Sequence, residues 1–225
     1  WSSDVCSSDL GKVVVAGLDF SRSGDSGGAA ADWFFSQIEF AIHDGTIEWT
    51  DELRATPTLA LKQVELVVRN TGRRHDMRLD ATPPAVWGER FSVRGMFQQP
   101  LLSRDRGQWQ DWNGQMFAEF ARIDLAELRR YADVGVDLRQ GNGTLRAWVD
   151  VRKGQMAGVV ADVALAQVNV ILGADMQPLE LQSVQGRVGG RILPGGFEFS
   201  TQGLQFDTRD GLHWPGGNIS VSYMG

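Results

Sequence analysis

The segment with the most suggestive spacing for chemistry is residues 24–28, which read Gly-Asp-Ser-Gly-Gly. This is the sequence around the nucleophile of chymotrypsin-like proteases, in which a serine hydroxyl attacks the substrate and backbone N–H groups stabilise the oxyanion. In that fold the catalytic histidine and aspartate precede the serine by long stretches, whereas only 25 residues precede Ser26. The residue order therefore argues against a protease, and we interpret residues 21–31 as a loop rich in Ser, Gly and Ala.

The three histidines, His43, His75 and His213, are the next candidates for catalysis or metal binding. No two of them are two or four positions apart, which are the spacings that bring metal ligands together on one element. His43 is followed by Asp44 and Gly45, and His213 stands between glycines, as in turns. We therefore expect turn or surface positions for His43 and His213, and no histidine-based site.

The remaining polar residues form no chemical motif either. Asp51 with Glu52, and Asp207 with Asp210, offer carboxylates, but acid–base chemistry requires them to converge in a cleft, which spacing alone does not establish. Glycine patterns for dinucleotides and for phosphate loops are absent. Cys6 is the one cysteine, so the chain has no disulfide. We predict no catalytic residue, no metal and no cofactor, and hence no enzyme.

Composition indicates a globular chain with no bulk attraction for polyanions. Of 225 residues, 42% are hydrophobic and 22% are charged, and the formal net charge is −6. A negative chain is not drawn to nucleic acid or to an anionic membrane surface, so we expect neither as a partner of this segment. Residues 1–10 repeat Ser-Ser-Asp and resemble a translated sequencing adapter. We predict that they are an artefactual or disordered tail and take residues 11–225 as the domain.

Most of the chain alternates apolar and polar residues, the pattern of half-buried strands. A phase slip at Lys62 and Gln63 indicates a β-bulge. The simplest assembly is a long antiparallel meander. Turn formers separate the strands at Pro57, Pro83-Pro84, Pro100, Gly141-Asn142-Gly143, Lys153-Gly154, Pro178, Pro194-Gly195-Gly196, Asp210-Gly211 and Pro215-Gly216-Gly217.

Two segments have helical rather than alternating spacing. Residues 29–37 form one predicted helix. Residues 124–132 form the other, in which Asp124 can cap the N-terminus and Glu127 stands three residues later. Residues 157–174 are long enough to cross a bilayer, but polar residues interrupt them and the alternation of valines favours a strand.

The order of several motifs resembles a known family. Residues 33–37 read Trp-Phe-Phe-Ser-Gln, and residues 42–55 read Ile-His-Asp-Gly-Thr-Ile-Glu-Trp-Thr-Asp-Glu-Leu-Arg-Ala. Matching blocks follow at residues 59–64, 70–75, 81–84, 141–148 and 186–188. Together they resemble the YhdP branch of the AsmA-like proteins from Gly11 onward, with Phe34-Phe35 in place of a Leu-rich pair. Since the family's membrane anchor and most of its C-terminal body are missing, we interpret the chain as an interior fragment.

This resemblance implies an envelope protein of a Gram-negative bacterium, anchored in the inner membrane, that extends through the periplasm and conveys phospholipid towards the outer membrane. The full-length protein would meet membranes at its ends, not through this segment. The implied fold is mainly β, a long antiparallel meander curling into an open apolar groove, with one or two short helices. Acyl chains would lie in that groove. We expect the groove to be lined by Leu59, Leu61, Val64, Leu66, Val68, Met77, Leu79, Phe91, Val93, Met116, Phe120, Leu145, Val149, Val151, Val163 and Leu165.

The same inward-facing residues would form an ordinary core if two sheets packed face to face. The tryptophans near the ends of the predicted strands would also suit a β-sandwich that binds carbohydrate. Alternation does not separate these possibilities. A structural or carbohydrate-binding β-sandwich module therefore stays open as the alternative to a lipid conduit.

Overall fold

The computed structural model describes residues 3–8, 14–15, 18–19, 25–51, 57–103, 107–130, 137–171 and 177–224. These described residues form fourteen strands, two α-helices and one short 3-10 helix, Trp109–Asp111. The N-terminal elements are β1 (Ser3–Ser8), β2 (Val14–Val15), β3 (Leu18–Asp19), α1 (Asp25–Ser36), β4 (Glu39–Asp51), β5 (Leu59–Thr71), β6 (Arg74–Thr82) and β7 (Phe91–Gln98). The following elements are β8 (Asn113–Asp124), α2 (Leu125–Arg129), β9 (Asp137–Arg152), β10 (Gln155–Ile171), β11 (Leu179–Leu193), β12 (Gly196–Thr208), β13 (His213–Trp214) and β14 (Ser220–Met224).

The order of hydrogen-bonded strands follows the order of the chain from β4 to β13, and β14 also pairs with β12. The predicted antiparallel meander with two short helices is therefore confirmed. Strand β1 departs from the antiparallel pairing, because its backbone pairs with β4 in parallel. Strand β1 lies within residues 1–10, and the interpretation of these residues as an artefactual or disordered tail stays a prediction.

The chain divides into two compact units. Unit 1 consists of Trp1–Pro84, Arg90–Met116 and Asp150–Met156, and unit 2 of Ala85–Glu89, Phe117–Val149 and Ala157–Gly225. Each unit has a cluster of buried apolar residues, one around Val68 and Trp112 and the other around Val168 and Leu181.

Phase slips in the strands correspond to β-bulges. The slip predicted at Lys62 and Gln63 is confirmed, because the register of β5 shifts there and Gln63 has φ 50°. The predicted turn at residues 43–45 is wrong. These residues lie within β4 at a second bulge, where Asp44 has φ 49° and Gly45 stands opposite Val64. A bulge uses the same turn-forming residues while the strand continues on both sides.

The predicted turn at residues 141–143 is also wrong. These residues belong to β9, in which glycine is needed for close packing rather than for chain reversal. A Cβ atom at Gly143 would collide with the backbone carbonyl oxygen of Ala164. The chain reverses instead at Lys153 and Gly154, where a turn was predicted. Prediction and structure likewise agree on non-strand residues at Pro83-Pro84, Pro100, Gly195 and Asp210-Gly211.

Both predicted helices are present with different limits. Helix α1 begins at Asp25, so the interpretation of residues 21–31 as a loop is wrong for residues 25–31, while residues 21–24 lie outside the described residues. Helix α2 ends at Arg129, earlier than predicted. Asp124 caps α2 as expected, because its side chain accepts hydrogen bonds from the backbone N–H groups of Ala126 and Glu127. Residues 157–171 belong to β10, and none of the helices described could span a bilayer.

Candidate lipid-contact surface

In unit 1 the strand register places the predicted groove residues on one face of the sheet. Leu66 on β5 lies opposite Leu79 on β6, and Leu79 lies opposite Val93 on β7. Directly opposed residues of antiparallel strands project to the same side. Val68 and Met77 form the next pair of the same face. The alternating pattern therefore produces a continuous apolar surface across β5, β6 and β7.

The opposite face of the same strands is charged. Arg69 Nε donates to Glu39 Oε2 over 2.6 Å, and Arg78 Nε donates to Asp80 Oδ2 over 2.6 Å. His43 Nδ1 lies 2.7 Å from Glu65 Oε2, and this hydrogen bond is the largest cause that lowers the pKa of Glu65. Unit 1 thus presents one apolar and one ion-paired face.

Unit 2 repeats this arrangement. Val163 and Leu165 on β10 lie on the same side as Val184 on β11, which lies opposite Phe206 on β12. On the other side, Arg187 forms a two-pronged ion pair with Asp162, with N–O distances of 2.6 and 2.9 Å. Hydrogen bonding by Arg187 lowers the pKa of Asp162. This ion pair therefore lies on the opposite side of the strands from Val163 and Val184.

The sixteen predicted groove residues differ in burial. Four of them are buried by the protein itself and serve as packing within unit 1: Leu59, Leu61, Val64 and Val68. None of the others is fully exposed, and all keep part of their surface accessible: Leu66, Met77, Leu79, Phe91, Val93, Met116, Phe120, Leu145, Val149, Val151, Val163 and Leu165. A half-buried apolar residue is one that still has surface to offer a ligand.

Residues that the prediction missed extend the apolar face in unit 2. The register aligns Ile192 with Phe197 and Tyr223, and Phe199 with Val221. All five are large apolar residues with at least 41% of their surface exposed. Their alternation was visible in the sequence for β12 and β14, but periodicity does not report whether a neighbouring strand covers a face. We call these five residues, three of which are aromatic, the aromatic strip.

Helix α1 covers the apolar face at one end of unit 1. Ala31 and Phe35 pack with Val68 and Trp112 in a buried cluster. The Phe35 ring lies 4.7 Å from the Trp112 ring, edge to face. His75 is fully buried and stacks on Trp112 at 3.8 Å between ring centres, and its Nδ1 lies 2.7 Å from Asn70 Oδ1. This buried histidine is a part of the packing.

Comparison with known protein families gives a match over most of the chain. A family model described as "YhdP protein" matches residues 7–225. The chain belongs to the YhdP family. The YhdP match confirms the resemblance found in the motifs and fits a bacterial envelope lipid-transport protein at the level of the family. No curated protein and no solved structure matches the chain.

Where the structure describes them, the residues that first suggested chemistry lie on several different elements of this YhdP chain. Ser26 lies in helix α1, and Glu52 lies outside the described residues. Within the part of the chain that the structure describes, no three His, Cys, Asp or Glu side chains group as metal ligands. His213 Nδ1 lies 2.6 Å from Asp207 Oδ1, and Ser183 Oγ donates to Asp207 Oδ2 over 2.7 Å. Asp207 thus pairs with His213 at the exposed surface and accepts from Ser183 in a partly buried hydrogen bond.

Two of the exposed tryptophans, Trp148 and Trp214, are engaged by neighbouring side chains. The Arg187 guanidinium lies 5.6 Å from the centre of the Trp148 ring, and Phe117 lies 5.2 Å from the same ring. Trp214 stacks on Phe206 with 6.0 Å between ring centres. Protein groups therefore lie against the rings of Trp148 and Trp214, whereas Trp33 and Trp109 each expose at least 40% of their surface. The carbohydrate-binding alternative stays a prediction.

Proposed function

We propose that this chain is a segment of a conduit that moves phospholipid between the inner and outer membranes, and that acyl chains contact the apolar face of each unit. The observation that carries the proposal is that one side of a strand is apolar while the other side is ion-paired. On β10, Val163 and Leu165 present half-buried apolar surface, while Asp162, the residue before Val163, is ion-paired on the other side.

Burial of acyl chains on such a face provides enough free energy to keep them out of water. Each methylene that leaves water contributes about 0.8 kcal/mol, so a long chain gains on the order of 10 kcal/mol when fully covered. Contacts with Val, Leu, Met and Phe have no preferred direction, so displacement along the face exchanges equivalent contacts. The head group stays solvated, because the apolar residues offer it no hydrogen-bonding partner.

The proposal places this segment in the periplasm, as part of a protein anchored in the inner membrane. Membranes are then partners at the ends of the full-length protein, and phospholipid acyl chains are the partners of the segment itself. The family assignment and the apolar faces support this placement. Nucleic acid is not a proposed partner, because the net charge of −6 repels it.

The test compares one substitution on the two sides of β10. Val163 faces the apolar side opposite Gly186, whereas Val160 is exposed on the other side opposite Gly189. The full chain and its Val163→Asp and Val160→Asp variants would be expressed in the periplasm of a Gram-negative host and purified. Native mass spectrometry and lipid extraction would then measure bound phospholipid. We expect phospholipid on the parent chain and on Val160→Asp, and its loss from Val163→Asp.

Circular dichroism of both variants separates loss of lipid from loss of the fold. Val149→Asp provides a second test on the apolar side, since Val149 is half-buried on β9. Leu66→Asp is less suitable, because Leu66 packs against the buried cluster beneath helix α1. A folded parent chain that carries no phospholipid would contradict the proposal and favour a β-sandwich whose apolar faces cover each other.

A further inference from the structure

Helix α1 stands where a ligand of the apolar face in unit 1 would otherwise lie. Phe34 and Phe35 both project onto the sheet, and the Phe34 ring lies 4.9 Å from the ring of Phe40 on β4. Phe35 belongs to the buried cluster with Val68 on β5. The helix therefore covers the apolar face over two adjacent strands.

The packing beneath the helix is dense. Ala31, Phe35, Val68 and Trp112 each expose 9% or less of their surface, and Met77 packs against them. Phe34 and Phe35 are in edge contact with 5.0 Å between ring centres. Protein interiors of this kind hold no space for a second occupant without displacement of the first.

The outer side of α1 differs in character. Trp33 precedes the two phenylalanines and exposes 55% of its surface. Ser36 is exposed and hydrogen-bonds the Trp33 carbonyl oxygen over 2.7 Å. The helix thus turns one aromatic residue to solvent and two towards the sheet, which is the arrangement of a segment that seals an apolar face.

We propose that helix α1 sets the boundary of the lipid-contact surface in unit 1, with Phe34 and Phe35 occupying the position of an acyl chain over Phe40, Val68 and Met77. Lipid then contacts the apolar face only outside the part that α1 covers. Phe34 and Phe35 therefore determine which strands of unit 1 contact lipid. This inference rests on the proposed function, and its test distinguishes the failure of either.

The experiment places the same photo-crosslinking residue at two apolar positions. p-Benzoylphenylalanine replaces Phe40, which lies under α1, or Phe120, which is half-buried on β8 in unit 2 next to Glu119, the ion-pair partner of Arg146. Both are phenylalanines, so the substitution is matched. After irradiation of cells that express the full chain, phospholipid adducts are measured by mass spectrometry. We expect an adduct at Phe120, and at Phe40 only the background of a sample kept in the dark.

Removal of the Phe34 side chain from helix α1 should then change the crosslinking result at Phe40. Phe34→Ala removes the ring over Phe40, and we expect a phospholipid adduct to appear there. Trp33→Ala is the matched control on the same helix, and because Trp33 faces solvent it should leave Phe40 without an adduct. Circular dichroism and the retained adduct at Phe120 show that each variant is folded.

Each outcome has one meaning. Equal adducts at Phe40 and Phe120 in the parent chain would overturn the boundary role of α1 and leave the conduit in place. A folded Phe34→Ala variant that still gives no adduct at Phe40 would overturn it as well. Absence of adducts at both positions would contradict the proposed function, and with it this inference.

Discussion

Asp80 is a buried carboxylate on the charged face of unit 1. It is 9% exposed, and it accepts hydrogen bonds from Arg78 Nε and from Ser92 Oγ. Burial raises the pKa of Asp80, but the hydrogen bonds from Arg78 and Ser92, with the charges of Arg78 and Arg90, together outweigh burial and leave the pKa below its usual value. The ionised form is therefore the one that the folded protein prefers.

The first residue-scale prediction concerns the pH dependence of this site. A pKa that is lower in the folded state contributes stability above the unfolded value, near 3.8, and this contribution is lost as the pH falls through the lowered folded value. We expect Asp80→Asn to reduce the free energy of unfolding by about 1–2 kcal/mol at pH 7, because it removes a charge-assisted acceptor. The difference from the parent chain should shrink as the pH falls below 3.8, as measured by urea denaturation at a series of pH values.

Asp76→Asn is the matched control. Asp76 pairs with Arg74 over 2.8 Å on the same strand and the same side, but the pair is largely exposed to solvent. Exposed pairs contribute little, so this variant should stay close to the parent chain at every pH. A loss of stability for Asp80→Asn that does not change with pH would contradict the role of the Asp80 charge.

At the scale of elements, the sequence predicts strands where alternation dominates, as in β5, which was predicted across its phase slip at Lys62 and Gln63. Strand β4 was missed because the bulge at Asp44 shifts the phase of its apolar residues between Ile42 and Ile47. In β11, three glycines remove side chains from the pattern, among them Gly186 with φ 141°. The cap of α2 was predictable, because Asp124 acts on residues two and three positions away.

The second prediction concerns two hairpin turns that place glycine in the left-handed region. Gly72 has φ 63° in the β5–β6 turn, and a Cβ there would meet no atom within 4 Å. Gly154 has φ 67° in the β9–β10 turn, and a Cβ there would lie 2.6 Å from Gln110 Cα. We expect Gly72→Ala to cost about 1 kcal/mol of unfolding free energy from backbone strain alone.

Gly154→Ala should cost more, by about 1–3 kcal/mol beyond the strain, because the backbone of Gln110 must shift to accept the methyl group. Equilibrium urea denaturation of both variants measures the difference directly. The two turns share their backbone conformation, so Gly72→Ala is the control for strain. Equal losses in the two variants would mean that the contact with Gln110 is relieved at no cost.

At the scale of the whole molecule, the two-sided character of the sheets follows from the sequence, but the distribution of exposed apolar surface does not. Alternation assigns Leu66 and Val68 to the apolar side without indicating that residues of α1 and Trp112, distant in sequence, lie over them. Strand β12 shows the same alternation, yet Phe197 and Phe199 remain exposed. Cover depends on contacts between distant segments, and periodicity within one segment carries no information about them.

The last prediction locates the exposed apolar surface of the lipid-free protein. In the aromatic strip, Phe197 and Tyr223 lie in register with 5.7 Å between ring centres, and each exposes more than half of its surface. A contiguous patch binds apolar dyes, whereas single exposed apolar residues are common on soluble proteins. We expect the double variant Phe197→Ser/Tyr223→Ser to lower the fluorescence of bound anilinonaphthalene sulfonate, and added phospholipid to lower it in the parent chain. Ile38→Ser is the control, because Ile38 is 84% exposed but lies outside the strip, and an equal loss of dye binding in both variants would show that total apolar exposure, not the strip, binds the dye.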